Sequence, residues 1–401
     1  MRKHLFILLA LLTLICTVTL AACNNQSANP TDTTVAETTG DATTPEETTT
    51  TPNNEDETSL SDSTEAGTPI LSLKGKKLSI LGDSISTFQG VSNNASYNAS
   101  IANNFVHYTN GTQGVYLKDT WWQQTLNTLG MDLVVNNSYS GSCVFQPCMG
   151  ADGAYIARCK QLSNTKWEDP DLIAIYLGTN DFYGFRSYLG NVADIDYDTL
   201  IVPKRNQFVY ATPQTAVEAY AIMLHKTMTR YPDAEIYCFT LLPELLPDAE
   251  VAVLEQFNQA IIDIATHFGA YVVDLYHDSG IKNDENFAFY ITDNALHPGL
   301  AGMDAITNCF ISSILENSKY VTDEVYEVSY DLDKVIVKEG TAYAALENTS
   351  FKCTLSSPAG GDMTVTVTMG GQDITSTAYK AGRINIPAVT GDIVITAKSS
   401  S

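Results

Sequence analysis

From Leu71 onward, short apolar runs alternate with stretches of helical periodicity, and this alternation limits the fold more than any other feature. The runs are Lys77-Leu78-Ser79-Ile80-Leu81, Met131-Asp132-Leu133-Val134-Val135, Leu172-Ile173-Ala174-Ile175-Tyr176, Glu235-Ile236-Tyr237-Cys238-Phe239 and Tyr271-Val272-Val273. Between and after them lie helix-like segments at Trp121 to Leu129, Thr215 to Arg230, Val251 to Phe268 and Leu300 to Leu315. In the third, Leu254, Phe257, Ile261 and Ile264 fall on one face at spacings of three and four. Thr212 and Pro213 suit a helix start, and Gly130 and Gly269 suit helix stops. Strands alternating with helices predict a parallel sheet covered on both faces. Right-handed crossovers then give a three-layer α/β/α domain whose site lies at the carboxyl ends of the strands.

The pattern changes near Thr322. Met363-Thr364-Val365-Thr366-Val367-Thr368-Met369 alternates strictly, as a half-buried strand does. Gly370-Gly371 and Gly391-Asp392 are turn signals. Further short strands are expected at Val335 to Val337, Phe351 to Leu355, Arg383 to Ile386 and Ile393 to Ala397. Tyr326 to Lys398 therefore reads as a small all-β sandwich.

The N-terminus differs from both parts. Arg2-Lys3-His4 precedes the apolar run Leu5 to Leu20, and Leu20-Ala21-Ala22-Cys23 follows. This resembles a bacterial lipoprotein signal, which implies lipidation of Cys23. An ordinary secretory signal or a membrane anchor is the alternative. Two acyl chains at Cys23 would anchor the chain stably. Asn24 to Ile70 holds fourteen Thr and ten of the acidic residues, with no Lys or Arg. It has too little apolar surface to offset chain entropy, so a disordered stalk is expected. As a flexible coil it would span roughly 35–40 Å. The expected organisation is a signal over 1–22, a linker over 23–70, an α/β domain over 71–321 and a β module over 322–401.

The formal charge is −24 and no basic patch is visible, which argues against nucleic acid as a partner. Of eight cysteines, Cys143 and Cys148 are near enough for a local disulfide, and Cys238 and Cys309 read as buried thiols. No metal spacing such as C-x-x-C is present, and neither a metal nor a cofactor is expected.

Four small motifs sit at the ends of these elements. Gly82-Asp83-Ser84 follows the first strand, where a Ser hydroxyl can project above the sheet edge and Gly82 allows a tight path. Ser140-Gly141 follows the second strand, and Gly178-Thr179-Asn180-Asp181 follows the third. The N–H groups of Ser84 and Gly141 and the Asn180 amide could together stabilise an oxyanion. His297, before Pro298-Gly299, is the candidate base, with His277 as competitor; His107 lies in the long loop after the first strand. Taken singly, each is also an ordinary turn, cap or packing residue.

In this order, the four motifs resemble the SGNH/GDSL hydrolase superfamily over about Leu78 to Leu315. The resemblance implies a flavodoxin-like α/β/α fold and metal-free ester hydrolysis, often of acetyl esters on carbohydrate. It implies Ser84 as nucleophile, Gly141 and Asn180 completing the oxyanion hole, and His297 as base. Gly82-Asp83-Ser84-Ile85-Ser86-Thr87-Phe88, with Asp119-Thr120-Trp121-Trp122, is similar to a subgroup common in gut-type anaerobes. The family usually has Asp three residues before the His. Here that position is Asn294, and Asp293 stands one earlier. Asp293 through a shifted turn, a Ser-His dyad, or low activity are the open outcomes.

Two stretches of the C-terminal part, Val367 to Thr375 and Pro387 to Thr396, resemble a repeat module of surface proteins from Gram-positive bacteria and their phages. That implies an Ig-like accessory module, which could bind a surface glycan or protein.

The expected substrate is a short acyl ester, with acetylated glycan preferred. No amphipathic lid stands out, and Asn103, Asn104, Tyr108, Trp121, Trp122, Phe182, Tyr183 and Tyr188 would suit a sugar or ordinary packing equally. The expected location is the outer face of a bacterial cytoplasmic membrane, Gram-positive, through the Cys23 anchor. The rival readings are a catalytically weak or inactive glycan-binding surface protein and a lysophospholipase or thioesterase.

Overall fold

The computed structural model describes residues 71–92, 106–147, 153–283, 287–293 and 296–400. The expected signal, Cys23 and the Thr-rich linker lie outside them, as do Asn103, Asn104, Cys148 and Asn294. Among the described residues no helix is long and apolar enough to cross a membrane.

Five parallel strands form the central sheet: β1 (Lys77–Gly82), β2 (Asp132–Ser138), β3 (Leu172–Tyr176), β4 (Glu235–Phe239) and β5 (Tyr271–Val273). Their order is β2-β1-β3-β4-β5. This is the flavodoxin-like doubly wound order, and the direction of winding reverses beside β1. Successive side chains of a strand point to opposite faces. In β3, Leu172, Ala174 and Tyr176 enter one core while Ile173 and Ile175 enter the other. The first face is covered by α1 (Trp121–Leu129) and the last long helix. The second is covered by the helices Ala216–Arg230 and Asp248–Phe268. In chain order the helices used below are α1, α2 (Thr179–Gly184), α3 (Ala216–Arg230), α4 (Asp248–Phe268) and α5 (Leu300–Asn317).

Gly130 and Gly269 stop α1 and α4 in the left-handed conformation, as expected. The start of α3 is corrected. Thr215, and neither Thr212 nor Pro213, caps the helix, in a capping box with Glu218. β2 is also longer than its apolar run, continuing through Asn136, Asn137 and Ser138 opposite Ile80, Leu81 and Gly82. The two amides are hydrogen-bonded: Asn136 Nδ2 donates to Ser86 O at 2.8 Å and Asn137 Nδ2 to Gln161 O at 3.0 Å.

Trp121, Trp122, Tyr108 and Phe182 are fully buried and belong to the core. Their reading as sugar-facing aromatics is therefore corrected. Trp121 packs against Phe239 and Phe310, and the Trp122 indole N–H donates to Ser86 O at 3.1 Å. Tyr183 and Tyr188 do remain exposed.

The C-terminal part is all-β, with a five-stranded and a four-stranded sheet packed around Val328, Phe351, Leu355, Val367, Ile384 and Ile393. Its first strand, Val325–Asp333, was not among those expected, and it pairs in parallel with Ile393–Ser399. The other pairings in this part are antiparallel. This part packs directly on α5. Tyr343 and Ala344 join the core of the α/β part, and Ser312 Oγ donates to Glu327 Oε1 at 2.6 Å.

Candidate active site

The turn after β1 carries Ser84. Gly82 is required there, because a Cβ at that position would lie 2.7 Å from both Ser86 Oγ and Ser138 Oγ. The Asp83 carboxylate accepts the Ile85 N–H at 3.1 Å and so caps the single turn Ser84–Ser86. Ser84 is buried, with its oxygen directed at the loop that precedes α5.

That loop enters as a short hairpin, Ile291–Asp293 paired with His297–Pro298, in which Asp293 stands opposite His297. His297 Nε2 lies 2.8 Å from Ser84 Oγ, and His297 Nδ1 lies 3.1 Å from Asp293 Oδ2. A carboxylate can only accept, so Nδ1 carries the proton and Nε2 is left to accept from the Ser84 hydroxyl. Burial pushes His297 down to about 4, and charge on His107 pushes in the same direction; Asp293 opposes both. His277 is placed differently. It is exposed, with Nδ1 2.7 Å from Asp274 Oδ2.

The other two motifs reach the same sheet edge. Gly141 adopts a φ of 76°, a conformation that favours glycine. Asn180, in the first turn of α2, donates its side-chain amide to Ser142 O at 3.0 Å, and Ser142 Oγ donates to Gly82 O at 3.2 Å. These two bonds tie the first turn of α2, the loop after β2 that carries Gly141, and the end of β1 that leads into Ser84 to one another at the switch point of the sheet.

A cavity of about 570 Å³ lies elsewhere, between α5 and the strand Val325–Asp333. None of Ser84, Gly141, Asn180, Asp293 or His297 lines it, so it is separate from this constellation.

A family model for GDSL-like lipase/acylhydrolase matches residues 76–314, more than half of the chain. The chain belongs to this family. Among solved structures, it is similar to a GDSL-like lipase of Bacteroides ovatus at 26% identity, over 61% of this chain and 100% of that one, with a TM-score of 0.43. A GDSL-like lipase of Bacteroides uniformis is also 26% identical, over 61% and 97% of the two chains, with a TM-score of 0.42. A carbohydrate esterase family 3 protein of Talaromyces cellulolyticus is 16% identical, over 60% and 97%, with a TM-score of 0.38. No curated protein matches the chain.

The GDSL-like site rests on buried polar residues that the motif reading left without a role. Asp181 is fully buried and accepts the N–H groups of Val144 at 2.8 Å and Phe145 at 2.9 Å. It therefore holds the loop after β2, which carries Gly141, against α2, which carries Asn180. Burial raises its carboxyl to about 6, with those two N–H bonds opposing. Asp83 is raised to about 7 by the same cause. Arg158, also buried, donates to Gly82 O at 2.9 Å and Asn137 O at 2.8 Å, and stacks over Tyr139. Cys143, beside Gly141, is held in a disulfide, and Cys159, Cys238, Cys309 and Cys353 are buried free thiols.

Proposed function

We propose that this protein is an extracellular serine esterase that removes short acyl groups, acetyl foremost, from carbohydrate. The observation that carries the reading is the unbroken relay from Ser84 Oγ to His297 Nε2 at 2.8 Å and from His297 Nδ1 to Asp293 Oδ2 at 3.1 Å. A hydroxyl, an imidazole of fixed tautomer and a carboxylate in that sequence can generate an alkoxide-like nucleophile near neutral pH.

In this reading His297 Nε2 takes the Ser84 proton while Oγ attacks the ester carbonyl. The oxyanion forms against the Ser84 and Gly141 N–H groups and the Asn180 amide. His297 then gives the proton to the departing alcohol. Water, activated by the same imidazole, releases the acyl group and restores Ser84. Asp293 keeps the ring oriented and stabilises the imidazolium.

The carbohydrate preference is supported by exposed Tyr183 and Tyr188, which follow Asn180 on one segment. The Cys143 disulfide is consistent with an oxidising compartment. We further propose that Cys23 is lipidated and holds the protein on the outer face of the cytoplasmic membrane, with residues 24–70 as a stalk. The C-terminal β part would bind a surface glycan or protein.

Replacing Ser84 with Ala tests the assignment. Turnover of p-nitrophenyl acetate and labelling by a fluorophosphonate probe should both vanish while the thermal melt is unchanged. Retained turnover would sink it. A panel of acetylated xylan against short- and long-chain esters tests the substrate. Preference for long chains would favour a lipase-like or thioesterase-like role.

A further inference from the structure

Among the described residues, His107 is a titratable group that touches both His297 and Asp293 and that the roles above leave unused. Its ring lies flat on that of His297, with centroids 3.6 Å apart and planes within 8°. Its Nε2 is 3.5 Å from Asp293 Oδ2, the oxygen that holds His297, and 3.4 Å from Gln113 Oε1. The placement is clamped from two sides. The His107 N–H donates to Thr87 Oγ1 at 2.8 Å, and the Thr87 hydroxyl donates to Ser84 O at 2.8 Å. The next residue, Tyr108, accepts the Gln89 N–H and donates its hydroxyl to Pro298 O at 2.8 Å. One dipeptide is tied to both the nucleophile turn and the strand of the base.

The nitrogens of His107 and His297 and the Asp293 carboxylate lie within 4.8 Å of one another, close enough to suggest a metal centre. The ring geometry argues otherwise. An imidazole binds a metal in its own plane, and an ion between two parallel stacked rings would sit well outside both planes. The arrangement is instead two imidazoles sharing one carboxylate oxygen.

We propose that His107 is a positioning residue: it holds the His297 ring flat in the plane that joins Ser84 to Asp293, and its own protonation switches the base off as pH falls. The proposal rests on the esterase reading above. Among the described residues, the groups facing His107 are Asp293 and His297 from the hairpin and Tyr108 and Gln113 from its own loop, with the Ser84–Thr87 turn adjoining. Asp293 is the only carboxylate there, and it already serves His297. A proton on His107 places a positive ring over the one that must become positive when Ser84 attacks, and it draws on the same carboxylate. Burial lowers the proton affinity of both rings, and His107 charge lowers that of His297 further. Gln113 favours a proton on His107, and Asp293 favours one on either ring, so the two imidazoles compete for the same carboxylate.

The test uses the full chain and three variants, His107→Phe, His107→Gln and His107→Ala, each checked by thermal melting. Phe keeps a flat ring without a proton, Gln keeps polarity without the stack, and Ala keeps neither. At pH 7 Ala should lower kcat for p-nitrophenyl acetate about tenfold through misplacement of the base, and Phe should recover most of that loss. On the acid side, log kcat/KM of the wild type should approach a slope of two, and that of the Phe variant a slope of one. Ring titrations by NMR read the same coupling without turnover, and the His297 midpoint should rise in the Phe and Gln variants. Unchanged slope together with an unchanged His297 midpoint overturns the proposal. A wild type with no turnover and no fluorophosphonate label overturns the esterase reading instead, and the ring titrations then still decide whether the two imidazoles are coupled.

Discussion

Asp293 is the residue whose replacement separates a triad from a dyad most sharply. Its Oδ2 lies 3.1 Å from His297 Nδ1, and its side chain is 28% exposed. Two unit charges at about 4 Å interact by about 4 kcal/mol at an effective dielectric of 20. Partial exposure screens this, so about 2 kcal/mol is reasonable for the charge, or roughly 30-fold in rate. Asp293→Ala should show about that loss in kcat/KM. Asp293→Asn should be worse. Its amide can donate to Nδ1, which moves the ring proton to Nε2 and leaves nothing to accept the Ser84 proton. In a buried triad that change costs about 10⁴ in kcat; at this more open position we expect about 10²–10³. Because Asp293 raises the proton affinity of His297, both variants should move the acid limb to lower pH, and raising the pH should not restore the lost rate. The assay is p-nitrophenyl acetate hydrolysis, normalised to fluorophosphonate-titrated sites. Losses below tenfold in both variants, or a larger loss in Ala than in Asn, would refute the triad. The exchange Asp293→Asn with Asn294→Asp should fail to rescue, since the pairing requires the carboxylate at 293.

Asn180→Ala should lower kcat by about 10²–10³ with little change in KM or melting temperature, as expected for a donor that acts on the transition state; equal losses in kcat and stability would point to a scaffold role. Arg158→Met takes one donor from Gly82 O and one from Asn137 O and removes the positive charge near Asp83, so urea denaturation should show a loss of about 3–5 kcal/mol. The folded-state pKa of Asp83 is raised from 3.8 to about 7, so the stability linked to its proton is fully present below pH 3.8 and is lost as pH rises through 7. Asp83→Asn should therefore gain stability relative to the wild type on going from pH 5 to pH 8, and a pH-independent difference would refute the assignment. Trp121→Ala empties a fully buried site between β4 and α5 and should cost about 3–5 kcal/mol by the same denaturation measurement.

The order and type of the sheet strands were legible because parallel strands buried on both faces read as unbroken apolar runs. The limits of that signal are visible in β2. Asn136 and Asn137 continue the strand because distant partners satisfy their side chains: Ser86 O, Gln161 O and the Arg158 guanidinium. Hydrophobic patterning does not register such bonds. Val325–Asp333 was missed for another reason. Tyr326, Val328, Tyr330 and Leu332 alternate with Glu, Ser and Asp as a half-buried strand does, but its parallel partner lies at the far C-terminus, so no hairpin turn marks the pairing locally. Trp121 and Trp122 were ambiguous between sugar platform and core, and only the α1–α5 packing decides between them.

The candidate site shows the same division. Nucleophile, base and oxyanion-hole candidates stand at strand ends and before α5, so their convergence followed from topology. His107 and Asp181 act across the sheet edge through contacts that no local spacing encodes. Asp293 lies between these cases. The family spacing of three residues is a stand-in for a carboxylate within reach of Nδ1, and other local geometry can meet the same requirement. Here the Leu296 N–H closes a turn onto Asp293 O at 2.8 Å, and the hairpin sets Asp293 directly across from His297. Paired residues on adjacent antiparallel strands have Cβ atoms about 4.5–5.5 Å apart, close enough for a carboxylate to meet an imidazole. A spacing of four in a hairpin thus does what a spacing of three does elsewhere. Asn294 at the usual position therefore says little about whether the base has a carboxylate partner, and the register of two short strands says a great deal.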